Sequence, residues 1–199
     1  MSDAKQTDRR VEVRRTTRET EIVLALALDG TGAADVRTGI GFLDHLLTAL
    51  ACHARFDLSL ACTGDLQVDD HHTAEDCALA LGQAFDRALG DRSGIARFGS
   101  AMAPLDEALA RAVVDLSGRA FALVDLGLTR ERLGGLACEN VSHVLSSLAT
   151  AARVTLHVDV LRGVNDHHRA EAAFKAVALA LRQAASRDGW AVPSTKGVL

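Results

Sequence analysis

A chain of 199 residues has room for one domain or two small ones, and an apolar fraction of 48% is ample for a buried core. With 22 basic against 26 acidic residues, a net charge of −4 and no long basic run, the chain lacks the electrostatic footprint of a nucleic-acid binder. Residues 1–15 are polar with no apolar h-region, and the longest strongly apolar run, 22–28, is far too short to cross a bilayer, so no membrane is expected as partner and the cytoplasm is the default location. Cys52, Cys62, Cys77 and Cys138 contain no C-x-x-C pair, which argues against both a disulfide framework and a thiolate zinc site; they are read as small buried hydrophobes.

In chain order, 11–17 and 21–28 read as two strands, the second alternating Ile22, Leu24, Leu26 and Leu28 before Asp29-Gly30 closes it. Phe42, Leu43, Leu46, Leu47 and Leu50 recur at helical spacing and predict a helix over 42–54, with His45 beside the apolar stripe. Phe56, Leu58 and Leu60 alternate as a strand, Thr63-Gly64-Asp65 turns, and a second helix is predicted over 72–89 with Gly90 as its stop. The order then replays: strands over 108–116 and 120–126, a helix over 139–152, a strand over 154–160 and a closing helix over 167–187.

The replay extends to the chemistry. Asp69-Asp70-His71-His72-Thr73-Ala74-Glu75 returns as Asn165-Asp166-His167-His168-Arg169-Ala170-Glu171, and His45 in the middle helix is matched by His143, with Arg55 falling on Arg153 and Leu58 on Leu156. Such a duplication predicts an α+β protein of two similar half-domains, 1–97 and 98–199, packed as one compact unit. Each half is expected to be a small, mostly antiparallel sheet of about four strands against two helices.

Six of the eight histidines therefore fall in matched pairs, leaving His53 and His157 over. Residues at i and i+3 or i+4 share a helix face, so Glu75 can reach either His71 or His72. Successive helical residues point roughly 100° apart, so the two adjacent imidazoles are badly placed for one ion, and the motif reads as a bridge between two metal sites. Six imidazoles and two carboxylates divide into three His and one Glu per ion, a nitrogen-rich, thiolate-free set suited to Mn²⁺, Fe²⁺ or Zn²⁺ with positions left open. Asp70 and Asp166, just before the histidine pairs, either hold an imidazole N–H or cap the following helix, and capping is preferred. Neither G-x-x-x-x-G-K-[ST] nor G-x-G-x-x-G occurs, so no nucleotide or other organic cofactor is expected.

These residues, with Arg18-Glu19-Thr20, Gly39-Ile40-Gly41-Phe42-Leu43-Asp44-His45, Arg97-Phe98-Gly99, Ser117-Gly118-Arg119, Glu171-Ala172-Ala173-Phe174-Lys175 and Pro193-Ser194-Thr195-Lys196-Gly197, resemble the imidazoleglycerol-phosphate dehydratase family over nearly the whole chain. The resemblance implies two Mn²⁺ per subunit, one held by His45, His72, Glu75 and His167 and the other by His71, His143, His168 and Glu171. It implies a phosphorylated imidazole diol as substrate, with Arg97, Arg119, Lys175, Ser194 and Lys196 for the phosphate and Glu19 for proton transfer, chemistry that suits Arg, Lys and hydroxyl groups. It further implies a homo-oligomer of 24 subunits, trimers joined through metal, with active sites completed by neighbouring chains.

The reaction so implied is dehydration of D-erythro-imidazole-glycerol phosphate to imidazole acetol phosphate in histidine biosynthesis. The proton to be lost is not acidified by any carbonyl, so the expected route runs through an imidazolate whose two nitrogens are stabilised by Lewis acids. Two other classes use related residues: a dinuclear metallohydrolase of a phosphate ester, which generally has a bridging carboxylate and H-x-H or D-x-H patterns absent here, and a non-enzymatic metal store or sensor.

Overall fold

The computed structural model describes residues 9–189 and 194. Among the described residues the order is β1 (Arg10–Thr16), β2 (Thr20–Ala27), β3 (Ala34–Arg37), α1 (Gly41–Ala54), β4 (Asp57–Gly64) and α2 (His71–Leu89), then β5 (Phe98–Leu105), β6 (Ala108–Asp115), β7 (Phe121–Asp125), β8 (Arg132–Leu133), β9 (Leu136–Ala137), α3 (Cys138–Ala151), β10 (Thr155–Arg162) and α4 (Asp166–Ala185). Two four-stranded sheets result, ordered β1-β2-β4-β3 and β5-β6-β10-β7, and β8-β9 form a separate small hairpin. In each sheet the short last strand runs parallel to its neighbour and the other pairs are antiparallel. The fold is α+β, two like units each of one mostly antiparallel sheet and two helices.

The apolar alternation seen in 22–28 places Ile22, Leu24 and Leu26 of β2 inward, each no more than 2% exposed, while the outward positions of β1 carry Arg10, Glu12 and Arg14. Helices α1 and α2 lie on the inner face of the first sheet, and α3 and α4 on the inner face of the second. The helix layers then meet crosswise: α2 packs on α3, and α1 packs on α4. Each helix thus has its main helical neighbour in the opposite half, and the core is continuous between the two sheets, with Phe174, Leu43, Leu46, Leu145 and Leu156 among its fully enclosed side chains.

Four strands escape the sequence pattern: β3, β5 and the two-residue strands β8 and β9. β3 is a four-residue edge strand, too short for a visible alternation. β5 contains Gly99 and Pro104, which argue against a strand, yet both have reasons to be there. A Cβ on residue 99 would lie 2.0 Å from the Ala180 carbonyl oxygen of α4, and Pro104 is tolerated because β5 is an edge. The first hairpin, β1-β2, is therefore replayed by β5-β6, not by 108–116 with 120–126 as the sequence suggested. The β8-β9 hairpin, which has no partner in the first half, lengthens the second half ahead of α3 and hides this correspondence.

The two halves also end their third-strand approach alike. Arg55 follows α1 and Arg153 follows α3, each with a positive φ of 58° and 55°, so the matched arginines mark the same left-handed turn out of a helix. The four cysteines are free thiols; Cys77 and Cys138 are buried and Cys62 half-buried, but Cys52 is exposed, contrary to the expectation that all four lie inside.

Candidate active site

The crosswise helix packing builds two clusters, each with ligands from both halves. In the first, His45 of α1 meets His167 and Glu171 of α4: Glu171 Oε2 lies 2.8 Å from His45 Nε2 and 3.2 Å from His167 Nε2. In the second, His143 of α3 meets His71 and Glu75 of α2, with Glu75 Oε1 3.2 Å from His143 Nε2 and Oε2 3.9 Å from His71 Nε2. Within each triad the donor atoms lie within 4.8 Å of one another. An ion bound at roughly 2.0–2.2 Å from each ligand separates its ligand atoms by about 3–4 Å, so both triads fit a metal.

The division of ligands implied by the family resemblance is not the one a single chain makes. Glu171, not Glu75, sits with His45 and His167, and Glu75 sits with His71 and His143. The cause is tertiary: α1 packs on α4 and α2 on α3, so each helix histidine finds the carboxylate of the other half. His72 and His168 join neither triad. Their rings stand 6.1 and 6.0 Å from those of His71 and His167, nearly perpendicular, as the angular spacing of adjacent helical residues requires.

The surroundings of the triads differ. Glu171 is also held by Lys175 at 2.7 Å; burial works to raise its carboxyl, but the Lys175 ammonium and His45 outweigh that and hold it at about 2. His167 packs against Phe42, ring centroids 5.1 Å apart. In the second triad the position equivalent to Phe42 is Asn140, whose Oδ1 is 3.0 Å from His71 Nδ1 while its Nδ2 donates to Asp70 Oδ2 at 2.9 Å. Here the rings of His71 and His143 stack 4.9 Å apart.

Asp70 stands at the N-cap position of α2 but its side chain makes no capping hydrogen bond, and Asp166 is the first residue of α4, preceded by its N-cap Asn165. Buried Asp70 accepts from Asn140, from the Ala137 backbone N–H at 2.7 Å and from Arg132; burial alone would raise its carboxyl, and these donors bring it below the usual range. Asp166 likewise accepts from Thr129 and Arg130 in the loop after β7. The side-chain bond to the first turn comes from the residues before them: the His71 N–H donates to Asp69 Oδ1 at 2.8 Å and the His167 N–H to Asn165 Oδ1 at 3.0 Å. Asp and Asn serve equally as caps, which accounts for the one polar difference at the head of the repeated motif.

Of the phosphate candidates, Lys175 is at the first triad. Arg97 and Arg119 instead converge on Asp115, Arg97 Nε at 2.7 Å and Arg119 Nη2 at 3.8 Å. The backbone N–H of Arg97 donates to the carbonyl of Ala184, which at 1.5 Å per residue lies about 20 Å along α4 from Glu171. One chain therefore does not bring its own Arg97 to its own first triad. Ser194 is half-buried, and Lys196 lies outside the described residues. Glu19 projects from the β1-β2 turn, its Oε2 3.8 Å from His72 Nδ1. His72 is held more closely by Asp65, at 3.0 Å, and this contact raises its pKa. His168 Nδ1 is 2.7 Å from Glu107, whose carboxyl is held at about 2, first by this histidine and then by the backbone N–H groups of Asn165 and Val164. Sequence reading missed Asp65, Glu107 and Asn140. Only Asp65 left a trace there, as an acid in the turn Thr63-Gly64-Asp65.

The family model for imidazoleglycerol-phosphate dehydratase matches residues 38–181, a span containing both triads. The chain belongs to the imidazoleglycerol-phosphate dehydratase family. An imidazoleglycerol-phosphate dehydratase of Phytophthora nicotianae is 63% identical over 192 residues, which make up 96% of this chain and 42% of that one. That of Phaffia rhodozyma is 58% identical over 197 residues, 96% of each chain. The crystal structure of the dehydratase from Staphylococcus aureus subsp. aureus N315 superposes with a TM-score of 0.81 at 34% identity, covering 89% of this chain and 99% of that one. As a member of this family the protein is a metal-dependent lyase, a dehydratase of imidazoleglycerol phosphate in histidine biosynthesis. No described helix is long and apolar enough to cross a membrane.

Proposed function

We propose that each chain carries two Mn²⁺ ions, one on His45, His167 and Glu171 and one on His71, Glu75 and His143, and that His72 and His168 each complete an ion held mainly by a neighbouring chain. The observation that carries this reading is the pair of interdigitated triads, each within ligand range of a single ion, with one matched histidine of each motif directed elsewhere. A homo-oligomer follows, and the family points to 24 subunits with metal-linked trimers. The distance along α4 between Glu171 and the Arg97 anchor supports the same sharing, since phosphate and imidazole of one substrate are then bound by residues from different chains. The 1–97 and 98–199 halves act as one unit in this assembly, and the cytoplasm is its proposed location.

Mn²⁺ held by the two His-His-Glu triads would supply Lewis acidity that lowers the cost of deprotonating the substrate imidazole, the condition for loss of the neighbouring hydroxyl. The chain's own residues do the rest. Arg97, Arg119, Lys175, Ser194 and Lys196 bind the phosphate dianion; the planar guanidinium groups give two parallel N–H donors each and fix its orientation. Glu19, exposed at its turn, is the proton-transfer group within reach of a substrate held beside His72.

The test is turnover of imidazoleglycerol phosphate by chelator-treated protein before and after Mn²⁺ is restored, with light scattering alongside. Restored activity with reassembly to a large particle is expected. Full activity without metal, or an unchanged mass after verified metal removal, refutes the shared-site reading. An analogue bearing phenyl in place of imidazole tests the role of the ring: if the ring serves only for affinity it turns over at saturation, whereas no turnover is expected.

A further inference from the structure

His72 and His168 are the same position of the repeat, yet different elements hold them. Strand register fixes the correspondence. Leu24 of β2 faces Leu60 of β4, and Ala112 of β6 faces Val158 of β10. Leu60 and Val158 are equivalent, so Leu24 corresponds to Ala112 and, five residues upstream in each, Glu19 corresponds to Glu107. The edge strands agree, since Ala34 faces Leu58 and Ala122 faces Leu156. No repeat offset visible in the sequence relates the two glutamates, because the β8-β9 insertion falls between them and the motifs.

The two glutamates have taken different posts. Glu107 Oε2 is 2.7 Å from His168 Nδ1, and its Oε1 accepts the Val164 and Asn165 N–H groups at 3.1 and 2.9 Å, bracing the ring and the entry to α4 together. Glu19 stands 3.8 Å from His72 Nδ1 and is 49% exposed, because Asp65 already occupies that nitrogen at 3.0 Å. Asp65 has no acidic counterpart: the strand alignment puts Gly163 opposite it and the helix alignment Leu161. Its side chain is 16% exposed, and Oδ1 is buried with no hydrogen-bond partner among the described residues, so the His72 ring is the contact that this carboxylate serves.

We propose that Asp65 and Glu107 are the positioning residues of His72 and His168, and that Asp65 has relieved Glu19 of the orienting task its counterpart performs, leaving Glu19 free to face substrate. An ionised carboxylate only accepts hydrogen bonds, so it fixes the proton on Nδ1, presents the bare Nε2 lone pair outward and locks the ring plane. The inference rests on the reading of His72 and His168 as metal ligands. Two copies of one turn have thereby become unlike: one organises a ligand, the other is left for proton transfer.

The test is calorimetric titration of the full chain, stripped by chelator, with Mn²⁺. Removing an outer hydrogen-bond partner of a ligand typically weakens metal affinity about 10–100-fold, and that loss is expected for Glu107→Ala and Asp65→Ala. Glu19→Gln is expected to leave Mn²⁺ affinity within about twofold, set against that same 10–100-fold scale. Glu107→Gln keeps an acceptor and should recover part of the loss, which keeps the question open to measurement if the alanine variant folds poorly. The decisive arm is Glu107→Ala in a His168→Ala background. A residue acting through His168 costs no further affinity there, whereas one that merely braces the Val164–Asn165 loop costs the same in both backgrounds, and equal cost overturns the proposal. Unchanged affinity in Glu107→Ala, or a Glu19→Gln loss as large as that of Asp65→Ala, also overturns it. If His168→Ala itself leaves Mn²⁺ binding unaltered, the metal-site reading fails and the inference with it, a result distinct from the others.

Discussion

The two triads are images of one another in ligand type and unlike in what holds them. Around His45, His167 and Glu171 the support is ionic and aromatic: Lys175 grips the carboxylate and Phe42 packs on His167. Around His71, Glu75 and His143 it is a hydrogen-bonded relay, with Asp70 holding Asn140 and Asn140 holding His71. The equivalent of Lys175 is Leu79, so the second carboxylate has no such cation, and Glu75 is 37% exposed against 13% for Glu171. The lesson is that duplication preserved the two His-His-Glu clusters and let the residues that support them diverge, because several supports can fix one ring.

The largest test of that comparison removes a carboxylate. Glu75→Gln and Glu171→Gln keep shape and lose charge, so each should lower the saturating metal content from about two ions per chain toward one, by the two-triad count, and abolish turnover. Elemental analysis and an activity assay check both, and a variant retaining full metal and activity breaks the assignment of its triad.

A smaller effect is expected from the relay. Asn140→Ala should weaken metal binding at the second triad by about 10–100-fold and leave the first within error. Asp70→Ala adds a stability cost of about 1–3 kcal/mol, because the Ala137 N–H loses its acceptor in the interior. Chemical denaturation of the metal-free chain separates the two effects; equal weakening at both triads counts against independent supports.

The helix crossings differ as well. Gly82 of α2 lies against α3, where a Cβ would come within 2.5 Å of the Leu148 carbonyl oxygen and 2.9 Å of the Ala152 nitrogen, while its counterpart on α4 is Ala178. Gly82→Ala is therefore expected to cost about 1–3 kcal/mol by overpacking and to loosen the His71–His143 triad selectively. A melting temperature equal to that of the parent refutes the close crossing.

The smallest effect concerns the ion pair between the residue before β1 and the turn after β2. Asp29 bonds Arg9, whose Nε is 2.9 Å away and whose guanidinium also donates to the Ala185 carbonyl at the end of α4. Arg9 holds the Asp29 carboxyl below its ordinary value of 3.8. A lowered folded-state pKa contributes stability that is complete above the ordinary value and is lost as pH falls below it. Asp29→Asn should thus cost at most about 1 kcal/mol at pH 7, since Asp29 is half-exposed, and the gap from the parent should close as pH drops below about 4. A gap independent of pH sinks the ionic account.

How much of this was legible in sequence depended on distance along the chain. His71, Glu75 and their repeat sit on one helix each, so spacing revealed them, and the return of the motif from His71 at His167, a shift of 167 − 71 = 96 residues, revealed the duplication. Ile22, Leu24, Leu26 and Leu43 showed their burial by period alone. β5 and β3 stayed hidden because an edge strand needs little alternation and tolerates Gly99 and Pro104. Asp65, Glu107 and Asn140 were illegible as supports, since nothing local distinguishes a carboxylate that braces an imidazole from one that faces water.

By itself the sequence determined the α+β class, the doubled architecture, the inventory of six histidines and two glutamates, and the divergence of the adjacent histidine rings, because each follows from periodicity or from the angular step of a helix. Only the tertiary structure decided which carboxylate joins which histidines. That choice rests on α1 packing against α4 and α2 against α3, and helix pairing across halves depends on the shapes of whole buried faces, not on any short stretch of residues.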